Sequence, residues 1–187
     1  MRRAILTIGP RGCGKSIYCQ QVITERPDIS LVSRDQIMLE IYGKVGLNLK
    51  QESPVPIFET MWARIAEHFE REEAIVIIDC WNGWGDDRQF LTKKLRQLGA
   101  DTIDGWYFVV PENVCAQWCV EKEVINHPAL RDEDDSWQLK LRAASARQEY
   151  RRYHDQPVEL DQGFDAIHII NPLQLAFLTF IPRLNTT

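Results

Sequence analysis

One motif near the amino terminus limits the folds open to this chain more than any other feature. Residues 9–16 read Gly-Pro-Arg-Gly-Cys-Gly-Lys-Ser, which fits the phosphate-binding loop pattern G-x-x-x-x-G-K-[ST]. The apolar stretch Ala4–Ile8 precedes this loop as a strand should, and the helix-compatible stretch Ser16–Glu25 follows it. A strand, a glycine-rich loop and a helix in this order favour nucleotide binding over an incidental turn that happens to contain a lysine.

The positions of this loop have separate expected roles. Lys15 is the candidate that reaches the terminal phosphates, and the Ser16 hydroxyl is a candidate ligand for Mg²⁺. Backbone N–H groups along the loop are predicted to point at phosphate oxygens. The nucleotide-binding candidates are therefore Gly9, Arg11, Gly12, Cys13, Gly14, Lys15 and Ser16.

Composition narrows the class of protein. A chain of 187 residues, with 44% hydrophobic and 26% charged residues, is long enough for one globular domain with a real core. No apolar run approaches a membrane span, and the first residues are those of a strand rather than a signal peptide.

The five cysteines lack framework spacing, so we expect reduced thiols in the cytoplasm. Cys115 and Cys119 lie four apart on a predicted helix and could share a metal or simply pack.

The formal net charge of −5 bears on the possible partners. A protein that grips a long nucleic-acid backbone is usually basic, because neutralising phosphates supplies the affinity. If the substrate is a nucleic acid, we therefore expect this chain to hold only its end. A membrane is not among the predicted partners.

Short apolar runs alternate with helical stretches along the chain. Predicted strands are Ala4–Ile8, Ile29–Val32, Ala74–Asp79, Gly105–Val110 and Ala166–Ile170. Predicted helices lie near 16–25, 35–42, 55–71, 86–98, 112–125 and 136–153. Strands that are nearly continuous Ile/Val/Phe runs are buried on both faces, which indicates a parallel sheet covered by helices on each side. The predicted fold is a doubly wound α/β domain that binds ligands above the carboxyl ends of its strands.

One α/β domain is predicted over residues 1–172, with a helical lid at about 112–153. Residues 43–56 hold glycine and proline breaks in a polar context and are predicted to form a loop on the substrate side. The tail 173–187 is too apolar to remain in water. We expect it either to pack on the domain as a C-terminal extension or to form a homodimer surface.

An acidic residue follows the second predicted strand, in Ser33-Arg34-Asp35. A carboxylate at this point faces the γ-phosphate across the crevice, where it can orient an attacking hydroxyl and accept its proton. Capping of a helix that starts at Gln36 is the plainer role for Asp35, and the two roles are compatible.

A second acidic residue, Asp79, ends the hydrophobic strand Ile75-Val-Ile-Ile-Asp79. An Asp at this point of a phosphate-binding-loop enzyme holds Mg²⁺ directly or through water, so Asp79 joins Ser16 as a candidate metal ligand. The alternative role is to satisfy local backbone donors at the strand end.

The lid region from 111 to 152 contains basic residues and surrounds His127-Pro128 and the acidic cluster 132–135. A basic side chain from a lid can stabilise the charge spread over a transferring phosphoryl group. The candidates are Lys122, Arg131 and Arg142, of which we take Lys122 as the catalytic candidate. A solvated helix face is the alternative explanation for these charges.

Together these motifs resemble the kinase module of 5′-hydroxyl polynucleotide kinases, within the adenylate-kinase-like P-loop group. The resemblance runs from residue 1 to about residue 172. Residues 5–16, with Val32-Ser-Arg-Asp35, look like the opening of the phage and bacterial members. Ile77-Ile-Asp79-Cys-Trp-Asn82 with Arg88 is similar to their hydrophobic-Asp-x-Thr-Asn motif and the Arg after it. Residues 150–165 are similar to their closing aromatic-x-x-Pro and Glu-Gly-Phe element.

The resemblance implies transfer of the γ-phosphate of ATP, with Mg²⁺, to the 5′-hydroxyl of an RNA or DNA end. Lys15 and Ser16 would serve the nucleotide and Asp35 the acceptor hydroxyl. The acceptor-binding candidates are Arg34, Asp35, Trp81, Asn82 and Arg88. Three departures concern this acceptor side: Met38 stands where phage members carry Arg, Trp81 replaces the motif Thr, and residues 118–122 lack the arginines typical of the lid helix.

Aromatic residues lie close to this acceptor side. Trp81 and Trp84 bracket Asn82-Gly83, and their rings could stack on a nucleobase or sugar, or pack against the following helix. Met38 belongs to an apolar pattern that is typical of the core face of a helix.

Two other functions remain open from the sequence. One is a small-molecule kinase of the same fold, acting on a sugar, nucleoside or antibiotic hydroxyl. The other is a module that binds nucleotide without useful catalysis. A basic groove leading to Asp35 would favour an oligonucleotide acceptor, and an enclosed pocket would favour a small molecule.

Overall fold

The computed structural model describes residues 1–45, 50–126 and 137–174, with residues 124–126 described by their backbone only. Five strands are present: β1 Arg2–Ile8, β2 Ile29–Ser33, β3 Ala74–Asp79, β4 Thr102–Phe108 and β5 Ala166–Ile170. Six helices accompany them: α1 Lys15–Glu25, α2 Arg34–Tyr42, α3 Val55–His68, α4 Gly85–Gln97, α5 Glu112–Asn126 and α6 Trp137–Asp155. Elements of both types alternate along the chain, as the apolar pattern predicts.

The strands form one parallel sheet in the order β2-β3-β1-β4-β5. The predicted parallel α/β fold is therefore confirmed. Because β1 lies at the centre, the loop that follows it leaves the middle of the carboxyl edge. The chain moves from β1 to strands on either side, and ligands in such folds bind at this topological switch point.

Helices cover both faces of the sheet, which explains the continuous apolar strands. Side chains alternate along β1, so Leu6 packs with the α2, α3 and α4 side, while Ile5 packs with the α1 and α5 side. The first cluster includes Met38, which is buried as predicted. The second cluster includes Trp106 of β4, whose ring meets that of Tyr18 edge to face at 5.5 Å.

Three strands differ from the prediction in their bounds: β1 starts two residues earlier, β2 ends one residue later, and β4 differs most. Strand β4 starts at Thr102 rather than at Gly105, so the glycine lies inside the strand instead of at its boundary. A Cβ at Gly105 would lie 3.0 Å from Ile8 Cδ1 and 3.4 Å from Phe164 Cδ1. The glycine therefore allows a close approach of neighbouring side chains within the sheet.

The predicted lid helices correspond to α5 and α6, which pack against each other. The segments 127–136 and 175–187 lie outside the described residues, and with them Arg131, the acidic cluster and most of the apolar tail. The extension and homodimer predictions therefore stay predictions. Within the ranges that the structure describes, no helix combines the length and apolarity needed to cross a bilayer.

Candidate phosphoryl-transfer site

The loop after β1 has the backbone form that surrounds an anion. Gly9, Gly12 and Gly14 all have positive φ, at 146°, 75° and 86°, values that L side chains rarely adopt. Helix α5 lies close against this loop. A Cβ at Gly12 would lie only 2.2 Å from the carbonyl oxygen of Cys115 and 2.7 Å from Cys119 Sγ. The second loop glycine is therefore required both by its backbone conformation and by the adjacent helix.

The ammonium group of Lys15 lies across the mouth of this loop. Its Nζ donates to the carbonyl oxygens of Gly9, at 2.7 Å, and Pro10, at 2.9 Å. Burial opposes the charge, but the neighbouring acidic groups outweigh it, chiefly Cys13 and then Tyr153 and Asp79, and the pKa of Lys15 is raised. The group is therefore a cation at neutral pH and can exchange the loop carbonyls for phosphate oxygens.

The two candidate metal ligands are in direct contact. Ser16 Oγ donates to Asp79 Oδ2 at 3.0 Å, and Thr7 Oγ1 donates to the other carboxylate oxygen at 2.9 Å. Mg²⁺ in nucleotide sites takes one or two protein oxygens and completes its shell with phosphates and waters. A hydroxyl and a carboxylate side by side at the end of the loop fit that requirement. Among the described residues there is no cluster of three or more His, Cys, Asp or Glu side chains able to hold a metal.

Asp35 lies beside this pair because of strand register. Ser33 of β2 is the register partner of Asp79 in β3, and Asp35 follows two residues later. Burial and then the charge of Asp79 raise the pKa of Asp35, while Arg34, Lys122 and Lys15 act in the opposite direction. A carboxylate with a raised pKa is a stronger base than an ordinary Asp, which suits proton abstraction from an alcohol.

The predicted capping role of Asp35 is wrong. Helix α2 begins at Arg34, and its cap is Ser33, whose Oγ accepts from the backbone N–H of Gln36 at 3.4 Å. Asp35 therefore occupies the first turn, where a negative charge is favourable, and its carboxylate is free of a capping bond. The side chain is 55% exposed, so the burial that raises its pKa is only partial, and Arg34 Nη1 lies 3.9 Å from its Oδ1.

Of the predicted basic candidates, Lys122 is near enough to Asp35 for its charge to affect that carboxyl. It is exposed on α5, and its charge lowers the pKa of Asp35. Arg142 instead pairs with Glu123, with 2.9 Å between Nε and Oε2. The structure thus brings Lys15, Ser16, Asp79, Asp35 and Lys122 to one edge of the sheet.

Asn82 and Arg88, two predicted acceptor-binding residues, are instead buried structural residues. Arg88 is fully buried, and its guanidinium donates to Gln162 Oε1 at 2.7 Å and to three backbone carbonyls, of Asn82, Gln156 and Pro157. Asn82 Nδ2 donates to the carbonyl of Thr7 at 2.7 Å. These bonds hold the segment after β3 against the chain that follows α6. Because their polar groups are already bonded to protein, both residues position the site rather than touch an acceptor.

Two residues of α6 that the sequence analysis missed support the loop. Glu149 is buried and accepts from the backbone N–H of Arg11 at 2.9 Å and from Arg11 Nε at 2.8 Å. The Tyr153 hydroxyl donates to Oδ1 of Asn82 at 3.2 Å, and Asn82 in turn bonds to Thr7 just before the loop; burial raises the pKa of Tyr153 to about 12. No local signal marks them, since a Glu and a Tyr on a polar helix are usual surface residues.

Aromatic residues flank the site on two sides. A Cβ at Gly14 would lie 3.4 Å from the ring of Trp118 and 3.6 Å from that of Pro172, so these apolar groups border the end of the loop. On the other side Trp81 and Trp84 are 39% and 46% exposed. The Arg152 guanidinium carbon lies over both rings, 5.3 Å and 4.6 Å from their centroids.

Comparisons with known proteins agree with this architecture. The profile of the AAA domain family matches residues 5–151, more than three quarters of the chain. No curated protein sequence matches the chain significantly.

Solved structures similar to this one include several kinases. A putative kinase from Chloroflexus aurantiacus J-10-fl has a TM-score of 0.63 at 14% identity, over 93% of this chain and 91% of that one. A chain of the Pnkp1/Rnl/Hen1 RNA repair complex has a TM-score of 0.61 at 18% identity, over 82% of this chain. This protein spans only 45% of that longer chain. A fungal RNA kinase has a TM-score of 0.56 at 14% identity, over 90% of this chain and 74% of that one.

At these identities the matches establish the fold, and they confirm the resemblance to P-loop kinases. The family match covers the phosphate-binding loop, Asp35, Asp79, helix α5 and most of helix α6. The chain therefore belongs to the AAA domain family and has the fold of a P-loop kinase.

Proposed function

We propose that this protein transfers the γ-phosphate of ATP, with Mg²⁺, to a hydroxyl group, and that the acceptor is the 5′-hydroxyl of an RNA or DNA end. The observation that carries the proposal is the arrangement at the carboxyl edge. Asp35 lies beside the pair formed by Ser16 and Asp79, and the Lys15 ammonium is near enough to affect its charge. Phosphoryl transfer requires a phosphate clamp, a metal site and a base for the nucleophile, and the candidates for all three are neighbours.

In the proposed reaction the loop N–H groups and Lys15 hold the β- and γ-phosphates. Ser16 and Asp79 would hold the Mg²⁺, which neutralises phosphate charge when bound. Asp35 accepts the proton of the acceptor hydroxyl as its oxygen attacks the γ-phosphorus. The bond from that phosphorus to the bridging oxygen breaks, and ADP leaves with the electron pair. Lys122 offers a positive charge for the oxygens of the transferring group.

The nucleic-acid acceptor is supported by the sequence resemblance, above all by the Arg34-Asp35 pair. One similar structure is part of an RNA repair complex and another is a fungal RNA kinase, which are properties of those proteins. The basic and aromatic surface around Arg152 is open rather than enclosed, which suits an oligonucleotide better than a small molecule.

A small-molecule kinase is the second candidate function. Met38, in the place of the arginine that phage polynucleotide kinases carry, is buried and contributes no charge to the acceptor side. The net charge of −5 also opposes long nucleic acids.

One acceptor screen separates these functions. Transfer of labelled γ-phosphate is measured with 5′-hydroxyl RNA and DNA oligonucleotides, 5′-phosphorylated controls, nucleosides and sugars. The proposal expects label only on 5′-hydroxyl strands, and a loss of about 100-fold or more in kcat for Asp35→Asn. Asp28→Asn is the matched control, because Asp28 is an exposed Asp paired with Arg26 before β2, at the opposite edge of the sheet. Label on sugars or nucleosides alone would establish the second candidate, and full activity of Asp35→Asn would remove its assigned role.

A further inference from the structure

A basic groove lies along the face of α6 that does not support the phosphate-binding loop. Its volume is about 450 Å³, and its lining includes Trp84, Arg147, Gln148, Arg151, Arg152 and Asp155. The α6 members come from successive turns, at 147–148, 151–152 and 155, so they form one stripe on the helix. Three arginines against one aspartate give this groove a positive charge, the reverse of the net charge of the chain.

The aromatic wall of the groove is held in place by Arg152. Its guanidinium lies over the rings of Trp84 and Trp81, 4.6 Å and 5.3 Å from their centroids. Gly83 permits this packing, because a Cβ there would lie 2.8 Å from Trp81 Cζ2 and 2.9 Å from Arg152 Cδ. Stacking occupies the flat face of a guanidinium and leaves its N–H edges available to an anion.

The other two arginines extend the positive charge along the helix. Arg151 is 74% exposed, and its contact with Glu112 is long, at 3.9 Å. Arg147 is exposed one helical turn earlier. Exposed guanidinium groups spaced along a helix, beside partly exposed indoles, have the chemistry that binds phosphodiesters and stacks bases.

The groove and the phosphoryl-transfer site share two elements, helix α6 and the segment after β3. Trp81 follows Asp79 by two residues, and Asn82 accepts a hydrogen bond from Tyr153 of α6. The same helix bonds to the loop through Glu149. The segment after β3 and helix α6 therefore connect the groove to the catalytic edge.

We propose that this groove binds the sugar-phosphate backbone of a single-stranded nucleic acid whose 5′ end lies at Asp35. The inference rests on the proposed function and extends it. Arg147 and Arg151 pair with phosphates, and the exposed faces of Trp81 and Trp84 stack bases. The expectation that an acidic chain holds only the end of a strand is thereby refined: the charge is unevenly distributed, and a few nucleotides are held beyond the end.

Binding is measured by fluorescence anisotropy with 3′-labelled, 5′-hydroxyl single strands of about ten nucleotides, RNA and DNA, without ATP. The double variant Arg147→Ala/Arg151→Ala is compared with Arg26→Ala/Arg71→Ala. Both double variants remove two positive charges. In the control, Arg26 lies just before β2 and Arg71 lies just before β3, at the opposite edge of the sheet. We expect the groove variant to bind about tenfold more weakly, and its slope of log K against log salt to fall by about 1.4. Adding Trp84→Ala to the groove variant should weaken strand binding further. Adding Trp84→Phe instead should leave most of the remaining affinity in place, because Phe can still stack on a base.

The outcomes separate this inference from the proposed function. Wild-type affinity and salt slope in the groove variant would overturn the groove, even if oligonucleotides are phosphorylated. Groove-dependent binding with no phosphate transfer would keep the surface and overturn the kinase proposal. No binding of any strand by the wild-type protein would overturn the groove and count against an oligonucleotide acceptor.

Discussion

Glu149 and Arg11 connect helix α6 to the phosphate-binding loop. The carboxylate accepts from both the backbone N–H and the guanidinium of Arg11, across 138 positions of sequence. The pair is partly buried, with the Glu149 side chain only 10% exposed. A charge-assisted, forked contact of this kind fixes geometry as well as supplying energy. The shape of the loop therefore depends on the position of α6.

Removing this carboxylate should loosen the loop. Glu149→Ala leaves Arg11 without its partner, so we expect a loss of about 1–3 kcal/mol in the free energy of unfolding and weaker ATP binding. Urea unfolding and nucleotide titration measure the two effects. Glu67→Ala, on the exposed side of α3, is the control and should change neither. Unchanged ATP affinity in Glu149→Ala would show that the loop holds its shape without α6.

Gly12 and Gly43 allow a test of crowding at the loop, because their backbone angles are alike. Their φ values are 75° and 71°, yet a Cβ at Gly43 meets nothing within 4 Å, whereas one at Gly12 meets the Cys115 carbonyl at 2.2 Å. Gly43→Ala should cost only the conformational strain, about 1 kcal/mol. Gly12→Ala should cost more and should abolish nucleotide binding, because α5 or the loop must move. Thermal unfolding and ATP titration of both variants check this, and equal effects would argue against contact between α5 and the loop.

Asp35 should lower stability at neutral pH. Its pKa is raised in the folded state, mainly by burial and then by Asp79, so its carboxylate is disfavoured there. The folded protein then binds more protons than the unfolded chain, and this contribution to stability falls as pH rises from the ordinary Asp value through the raised one. Asp35→Asn should therefore be at least as stable as wild type at pH 7, while losing activity.

The contribution of Asp28 to stability should change with pH in the opposite direction to that of Asp35. Its hydrogen bond with Arg26 lowers its pKa, so the carboxylate contributes stability at neutral pH that is lost as pH falls through the lowered value. Melting temperatures of wild type, Asp35→Asn and Asp28→Asn across pH 3–8 check both directions. A lower melting temperature for Asp35→Asn at pH 7 would contradict the raised pKa.

The rate of phosphate transfer should also depend on the titration of the Asp35 carboxyl. Because Asp35 must be deprotonated to accept the hydroxyl proton, kcat/KM should fall as pH drops through its raised pKa, above the ordinary Asp value. A pH–rate profile with the 5′-hydroxyl acceptor measures the position of this limb. A flat acidic limb would indicate that Asp35 does not take the proton.

Ser16 and Thr7 separate metal binding from support of Asp79, because each donates to one oxygen of its carboxylate. Ser16→Ala removes a candidate metal ligand, so the Mg²⁺ concentration for half-maximal activity should rise about tenfold or more. Thr7→Val removes only a supporting bond and should raise it less. Mg²⁺ titrations of turnover check the order, and the reverse order would place the metal away from Ser16.

Local sequence patterns predicted the elements of this fold with small errors. Strands β3 and β5 have the predicted bounds, because runs such as Ile75–Ile78 carry a clear signal for a strand buried on both faces. The error at β4 arose at Gly105, where a residue that usually breaks a strand instead serves close packing inside it. The loop motif and the acidic strand ends pointed to Lys15, Ser16 and Asp79, because backbone geometry at such ends is a local property.

What the sequence alone determined was the order of strands and helices and the loop between β1 and α1, since periodicity and glycine positions act over a few residues. Tertiary structure alone decided which side chains meet. Arg88 was predicted to bind substrate, yet packing buries it among carbonyls, and Glu149 carried no signal, yet it holds the loop. Contacts between residues far apart in sequence depend on how whole helices dock on the sheet. The sequence pattern specifies which face of a helix is apolar but not which distant polar group that face will meet.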